Sequence, residues 1–169
     1  MFREMRRKKQ ALADETCQEV LNRGTSGVLA VSGDDGYPYA VPMSYVYNGE
    51  KIYFHSASEG HKIDSIARNH KVSFSVIDQD QVVSREYTTY FRSVIAFGTI
   101  RVVSDAQEKR KAIETLAAKY SPGESEERTG QAIEREWAQL CILELSIEHL
   151  SGKEAIELVK KKSEIKCEA

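Results

Sequence analysis

The chain has 169 residues, 41% hydrophobic and 30% charged, and its 24 basic and 26 acidic side chains leave a formal charge of −2. That composition belongs to a water-soluble domain long enough to bury a core without disulfides or a structural metal. The near balance of charge supplies no overall field for nucleic acid. Cys17, Cys141 and Cys167 are widely separated and lack a C-x-x-C spacing, so neither a disulfide framework nor a zinc site is indicated. The opening basic run of Arg3, Arg6, Arg7, Lys8 and Lys9 is followed by acids and not by an apolar core. It reads as the solvated start of a helix and not as a signal peptide, and no stretch approaches the ~20 apolar residues of a membrane span. A cytoplasmic chain with reduced thiols, without a nucleic-acid or membrane partner, is the expectation.

Residues 7–23 read as a helix with Leu12, Thr16, Val20 and Leu21 on one face and Gly24 as its stop. The period then changes. Residues 27–32 form a short apolar run closed by Asp34-Asp35-Gly36, a hairpin signal, and residues 39–47 alternate as a second strand with Tyr39, Val41, Met43, Tyr45 and Tyr47 on one face. Pro42 inside that run points to an edge, a bulge or a place where a ligand meets the backbone. Asn48-Gly49 is a two-residue turn into a returning strand over residues 51–55, so these three strands are expected to form an antiparallel meander.

A helix stripe of Ile63, Ile66 and Ala67 follows Ser58-Glu59-Gly60, and residues 72–78 form the next strand. The polar stretch 79–89 reads as a loop. Residues 93–103 form a long strand with a bend or bulge at Gly98. Asp105 caps a helix to about residue 120, buried through Ile113, Leu116 and Ala117, and Ser121-Pro122-Gly123 ends it. A short helix carrying Trp137, a final strand over 140–148 and a charged tail from Gly152 complete the chain. Hairpins dominate over crossovers, which predicts a mainly β fold, an antiparallel barrel with peripheral helices. A single domain over residues 1–155, with its N-terminal helix, and a charged tail over 156–169 is the expected division.

The strongest chemical feature is the strand, turn and helix start Tyr53-Phe54-His55-Ser56-Ala57-Ser58-Glu59-Gly60-His61-Lys62. Unpaired amides at a helix start, with Ser56, Ser58, His61 and Lys62 beside them, suit a phosphate. A plain helix cap with a surface lysine fits the same spacing. His55 and His61 lack a metal-ligand spacing, so no metal is expected, and His70 and His149 read as a helix-end and a strand-surface residue. No nucleophile elbow, Walker loop, dinucleotide fingerprint or zinc-protease helix occurs.

Taken together, Gly36-Tyr37-Pro38-Tyr39-Ala40-Val41-Pro42-Met43-Ser44-Tyr45-Val46-Tyr47, the segment 53–64, Asn69-His70-Lys71-Val72-Ser73-Phe74 and Tyr90-Phe91-Arg92-Ser93-Val94-Ile95-Ala96-Phe97-Gly98 resemble the nitroimidazole-resistance proteins. These belong to the pyridoxamine 5'-phosphate oxidase-like superfamily of FMN-binding split barrels, and the resemblance spans residues 3–155. It implies that Val41, Pro42, Met43 and Ser44 line the flavin ring, that His55, Ser56 and Ala57 wrap the ribityl and phosphate region, and that His61 and Lys62 hold the phosphate. Ser93, with Arg92 beside it, would reach the ring from another strand. Val41 stands where the vitamin-processing oxidases carry an arginine, and their C-terminal Arg-x-His pattern is missing, which favours the nitroimidazole-reductase-like branch.

The implied function is an FMN-dependent oxidoreductase reducing nitroimidazoles or other small acceptors with a small-molecule electron donor, held as a homodimer. FAD is the alternative flavin. A flavin carrier or sensor without a dedicated substrate, and a haem protein ligated through His55, His61 or His149, are the competing readings. His55 and Tyr90 are the candidate proton donors. Tyr37, Tyr39, Tyr45, Tyr47 and Trp137 fit either a ring cover or ordinary barrel packing.

Overall fold

Strand alternation and turn chemistry place the described residues, 2–167 of a computed structural model, in one antiparallel sheet with five α-helices around it. The strands are β1 (Ser26–Ser32), β2 (Pro38–Ser44), β3 (Val46–Tyr47), β4 (Lys51–Ala57), β5 (Lys71–Val83), β6 (Thr88–Val102) and β7 (Leu140–Glu154). The helices are α1 (Asp14–Arg23), α2 (His61–Arg68), α3 (Ala106–Tyr120), α4 (Glu126–Glu136) and α5 (Ile156–Cys167). The sheet order is β2-β1-β5-β6-β7-β4-β3, every pair antiparallel. Its two edge strands, β2 and β3, are consecutive in the chain and separated only by Tyr45. The sheet therefore rolls until its edges meet at a covalent link and not at a hydrogen-bonded ladder. This is the expected antiparallel split barrel with peripheral helices.

That seam overturns the meander. β2 pairs with β1 and β3 with β4, at opposite edges of the sheet, because the run over residues 39–47 breaks at Tyr45. Tyr45 is fully buried, and its backbone groups lie outside either ladder. The Tyr120 hydroxyl, brought in by the end of α3, accepts from Tyr45 N–H (2.8 Å) and donates toward the carbonyls of Tyr45 (2.7 Å) and Thr25. The Tyr45 side chain continues inward, donating to the Leu21 carbonyl at 2.8 Å. A Cβ at Gly24 would lie 2.5 Å from that hydroxyl, which explains a glycine there beyond its role as a helix stop.

The barrel interior holds Leu29, Val31, Ile52, Phe54, Phe74, Val76, Val94, Ala96, Leu143 and Leu145, with Cys17, Val20 and Leu21 of α1 packed into the same core. Phe74 meets Tyr45 and Phe54 edge-on at 4.8 and 4.9 Å, the arrangement favoured by ring quadrupoles. A second, outer cluster packs Ala112 and Leu116 of α3 over Val46, Val103 and Ile142. Pro42 does lie on an edge strand, and the register shift at Phe97/Gly98 is the expected bulge. A Cβ at Gly98 would approach the Ser146 carbonyl oxygen to 1.9 Å, so only glycine fits there.

Four further boundaries differ from expectation. Residues 7–13 are not helical: a 3-10 turn at Lys8–Gln10 leads into extended chain, because buried Gln10 donates to the Glu154 carbonyl (3.0 Å) and Leu12 N–H to Gly152 O (3.0 Å). Residues 79–89 are not a loop, since β5 and β6 remain paired from Gln79↔Arg92 to Val83↔Thr88 and turn only at Ser84–Tyr87. Polar residues follow one another there because neither face of this hairpin end is buried. β7 runs on to Glu154, with Gly152 buried against Cys17 and Leu12, so the tail begins as helix α5 and not at Gly152. Trp137 follows α4 and does not lie within it, and Ala67 of α2 is exposed.

Outside the core, Glu144 is 1% exposed and collects Arg101 (3.1 and 2.8 Å), Lys51 (3.1 Å), Tyr53 (3.3 Å) and Ser146 (3.3 Å). Burial alone would raise its carboxyl, but the charge-assisted bonds from Arg101 and Lys51 pull it down to about 2. Burial and the neighbouring Glu144 charge push the Tyr53 phenol up to about 12.

Two outcomes follow from this packing. Tyr120→Phe keeps the ring but removes the hydroxyl that meets the Tyr45 backbone, and should cost ~1–3 kcal/mol in urea unfolding. Because the folded pKa of Glu144 lies below its ordinary 4.5, its contribution is complete above pH 4.5 and disappears as pH falls toward 2. Acid unfolding followed by circular dichroism should show wild type losing more stability across that window than Glu144→Gln, which begins ~1–3 kcal/mol weaker at neutral pH.

Candidate functional site

The seam draws residues from two distant strands to one place. Ser44, the last residue of β2, and His55, on the outward face of β4, both open onto a cleft of about 460 Å³. Ile113, Leu116, Ala117 and Tyr120 of α3 form one wall, Ala132 and Ile133 of α4 the other, and Leu140 lies at the start of β7. The cleft is mostly apolar, with Arg128, Glu124 and Glu136 at its rim, and its volume is in the range of small-molecule pockets. Asp105 and Ser125 cap α3 and α4 by accepting from Glu108 N–H and Arg128 N–H, which fixes both walls.

The remaining residues singled out in the sequence fall around this cleft in three groups. Val41 is half-buried, Pro42 exposed and Met43 buried, so β2 turns Pro42 and Ser44 outward and Met43 into the core. Ser56 is buried and its hydroxyl donates to the Ala57 carbonyl at 2.9 Å, while Ala57 is exposed. Ser56 pairs with Cys141, where Lys62 and Lys109 pull down a thiol that burial pushes up. Half-buried Lys62 therefore stands near the end of β4, on the helix-start side of the cleft strands. Its neighbour His61 faces the other way: its ring stacks on Tyr39 (4.2 Å, 11°) and Nε2 lies 3.3 Å from Asp34 Oδ2. The expected basic pair is thus divided, with Asp34 engaging one member.

Arg92 and Ser93 are the third group, and the fold of the single chain does not bring them to the cleft. β7 pairs with His55 at Ile142 and with Ser93 at Lys153, near opposite ends of its 15 residues. At roughly 3.3 Å per residue, this separation is too long for one small molecule to touch both. Arg92 is also engaged: it donates to Glu154 (3.0 Å) and Asp78 (3.1 Å), in a ladder that continues to Arg23 and Lys162. Tyr90, the other candidate proton donor, is buried, donates to Glu86 Oε2 at 2.7 Å and lies under Lys161. The Glu86 hydrogen bond is the leading cause of its raised phenol pKa.

Of the aromatics, Tyr45 and Tyr47 are core residues and Trp137 lies beneath Lys109 Nζ at 4.4 Å, outside the cleft lining. His149 stacks on Phe2 at 4.6 Å. Sequence reasoning missed Tyr120 and the α4 wall. Thr129 and Ile133, four apart after a serine cap, were the available signal.

Ser93 belongs to an outward sheet face with few charges. Cross-strand rows align Pro42–Val28–Ser75–Ile95–Ser151 and Ala40–Ala30–Ser73–Phe97–His149, and Ile77 lies beside Ser93. Ile77 is 69% exposed, and Val28 and Ile95 are more than a third exposed. Among the described residues, no His, Cys, Asp or Glu cluster is arranged to hold a metal, and no helix is long and apolar enough to cross a membrane.

Comparison with known proteins matches residues 13–154 to the pyridoxamine 5'-phosphate oxidase family model. An uncharacterized protein of Rhizobium meliloti strain 1021 is 36% identical over 69 residues, a stretch covering 41% of this chain and 44% of that one. The chain thus spans less than half the length of that curated relative. Its fold is similar to a putative 5-nitroimidazole antibiotic resistance protein from Bacteroides thetaiotaomicron (20% identity, 85% of each chain, TM-score 0.69). It is also similar to the FAD and haem binding protein from Mycobacterium smegmatis (26% identity, 87% of this chain and 73% of that one, TM-score 0.72). With the family model covering most of its length and the sheet folded as a split barrel, the chain belongs to the pyridoxamine 5'-phosphate oxidase family.

Proposed function

We propose that this chain is a cytoplasmic flavin-dependent oxidoreductase whose cofactor sits where β2 and β4 open onto the α3–α4 cleft. The convergence of Ser44 and His55 on that cleft carries the reading: both were singled out in the sequence, and the seam joins their strands at one apolar opening. The residues fit a flavin. Apolar side chains of α3 and α4 offer faces for a flat ring, the backbone of Val41 to Ser44 is at hand on an edge strand, and Lys62 supplies a cation for one phosphate. FMN is therefore assigned first. FAD is its competitor, since the similar Mycobacterium smegmatis protein binds FAD and haem. The flavin supplies electron transfer to a small acceptor, nitroimidazoles included; the chain orients it and excludes water from the ring. His55 is the cleft-facing imidazole that can hold a proton there.

A second copy of the chain completes this site. Ser93 lies too far along β7 to serve its own protomer's cleft, and it adjoins the apolar outward face of β1, β5 and β6. Apolar area of this kind on a small chain is what an isologous interface covers.

Titration of the purified protein with FMN and FAD, followed by quenching of flavin fluorescence, tests the cofactor. Lys62→Ala should weaken binding about tenfold or more through loss of a charge-assisted contact; equal affinity, or a haem spectrum in protein expressed with both cofactors, overturns it. Ile95→Lys should halve the mass seen by light scattering and release flavin, and retention of the dimer would refute the interface. Mixing reduced protein with a nitroimidazole should reoxidise its flavin faster than free flavin. Inertness toward a panel of donors and acceptors would identify a carrier instead.

A further inference from the structure

We infer that the N-terminal turn, together with the first turn of α5, forms a second binding cleft for a phosphate-bearing small molecule. Arg6, Arg7, Lys8, Lys9, Gln10 and Ile156 line one depression of about 560 Å³. In the sequence this basic run reads as a solvated helix start, but the backbone is a 3-10 turn pinned to β7. Gln10 is 4% exposed and donates to Glu154 O, Ala11 bridges to Lys153, and Leu12 N–H donates to Gly152 O. The cations therefore project from a fixed frame, and part of the ordering cost of capturing an anion is already met in the fold.

The charges are also available. Lys8 pairs with Glu4 at 2.6 Å and Arg7 leans on Gln10 Oε1 at 3.4 Å, whereas Arg6 and Lys9 have no ion pair among the described residues. The N-terminal end of α5 borders the depression through Ile156, and a helix start favours an anion. Glu157 is the acidic residue of that turn, and its charge adds to those that raise the Tyr90 phenol. Lys162 is held by Glu154 at 2.7 Å and leaves the cleft to the N-terminal cations.

Size and setting choose the ligand class. A concave site of this volume suits a small molecule. The chain carries −2 overall, with Glu4, Asp14 and Glu15 close by in sequence, so the positive field is confined to the depression. An extended polyanion needs a continuous basic face. Guanidinium and ammonium groups together match a phosphate ester or pyrophosphate, through forked and point contacts respectively.

Isothermal titration calorimetry of the full chain with inorganic pyrophosphate tests this. Saturable binding at one site per chain is expected, weakening as salt is raised toward 0.15 M, where the Debye length falls to about 8 Å. The double variant Arg6→Glu with Lys9→Glu should bind at least about tenfold more weakly, with unchanged thermal midpoint and flavin affinity. Lys62→Ala should bind pyrophosphate as wild type does, which separates this cleft from the proposed flavin site. Arg6→Gln with Lys9→Gln gives the same comparison with neutral side chains should charge reversal unfold the protein. Absence of binding at millimolar pyrophosphate, an undiminished affinity in these variants, or loss in Lys62→Ala alone overturns the inference. So does tighter binding, per phosphate, to phosphatidylserine vesicles or duplex DNA than to pyrophosphate.

Discussion

A rolled sheet must do something with its two edges, and in this protein both edges belong to one stretch of chain. β2 and β3 follow each other across Tyr45, so barrel closure is covalent, and the backbone groups at the join are deprived of ladder partners. A buried unpaired amide costs ~1–3 kcal/mol, a sizeable share of the ~5–15 kcal/mol that stabilises a domain. The Tyr120 hydroxyl meets that need from outside the sheet while the Tyr45 ring and hydroxyl fill the inside. Other features follow from this arrangement. α3 must end at the seam, Gly24 must lack a side chain, and α1 must present its Leu21 carbonyl to the interior.

The same constraint makes a site. Joining opposite edges of the sheet brings the end of β2 alongside β4, and the helix that seals the join becomes one wall of the cleft. Charge is handled separately. The Arg23–Asp78–Arg92–Glu154–Lys162 ladder fastens α1, the bulge in β5, β6, β7 and α5 to one another, and the Glu144 cluster anchors β4, β6 and β7 beneath the start of α3. Both are partly desolvated networks whose members satisfy one another, which favours one register over its alternatives more than it adds net stability.

Local signals in the sequence were legible where a residue type has a single conformational use. Asp34-Asp35-Gly36 turns as its composition requires, with Asp35 and Gly36 at positive φ; Asn48 marks the next turn, whose central pair is Gly49-Glu50 and not Asn48-Gly49, and Asp105 caps α3. What the sequence could not disclose was long-range. The alternation over residues 39–47 continues unbroken through Tyr45, because that residue points inward in either topology; the change of partner is visible only in the ladder. Polar residues over 79–89 resembled a loop because a two-sided solvated hairpin has no apolar face to reveal it. Gln10 looked like a helix residue, since nothing local anticipates a buried bond to a carbonyl in the last strand. Of the cleft lining, Ser44 and His55 are among the residues that the motif resemblance names, whereas Tyr120 and α4 are not. Arg92 was placed on the right strand, but its ionic partners lie far away in sequence.

Tyr120 carries two duties, sealing the seam and walling the cleft, and this divides the lining into residues of unequal freedom. A change of shape at Tyr120 is charged against folding as well as recognition, so descendants of this scaffold cannot adjust it cheaply. Ala132, Thr129 and Arg128 on α4 carry no such double burden. Adaptation to new ligands should therefore accumulate on the α4 side of the opening while the α3 side stays fixed, giving the cleft one inherited wall and one that evolution can rebuild.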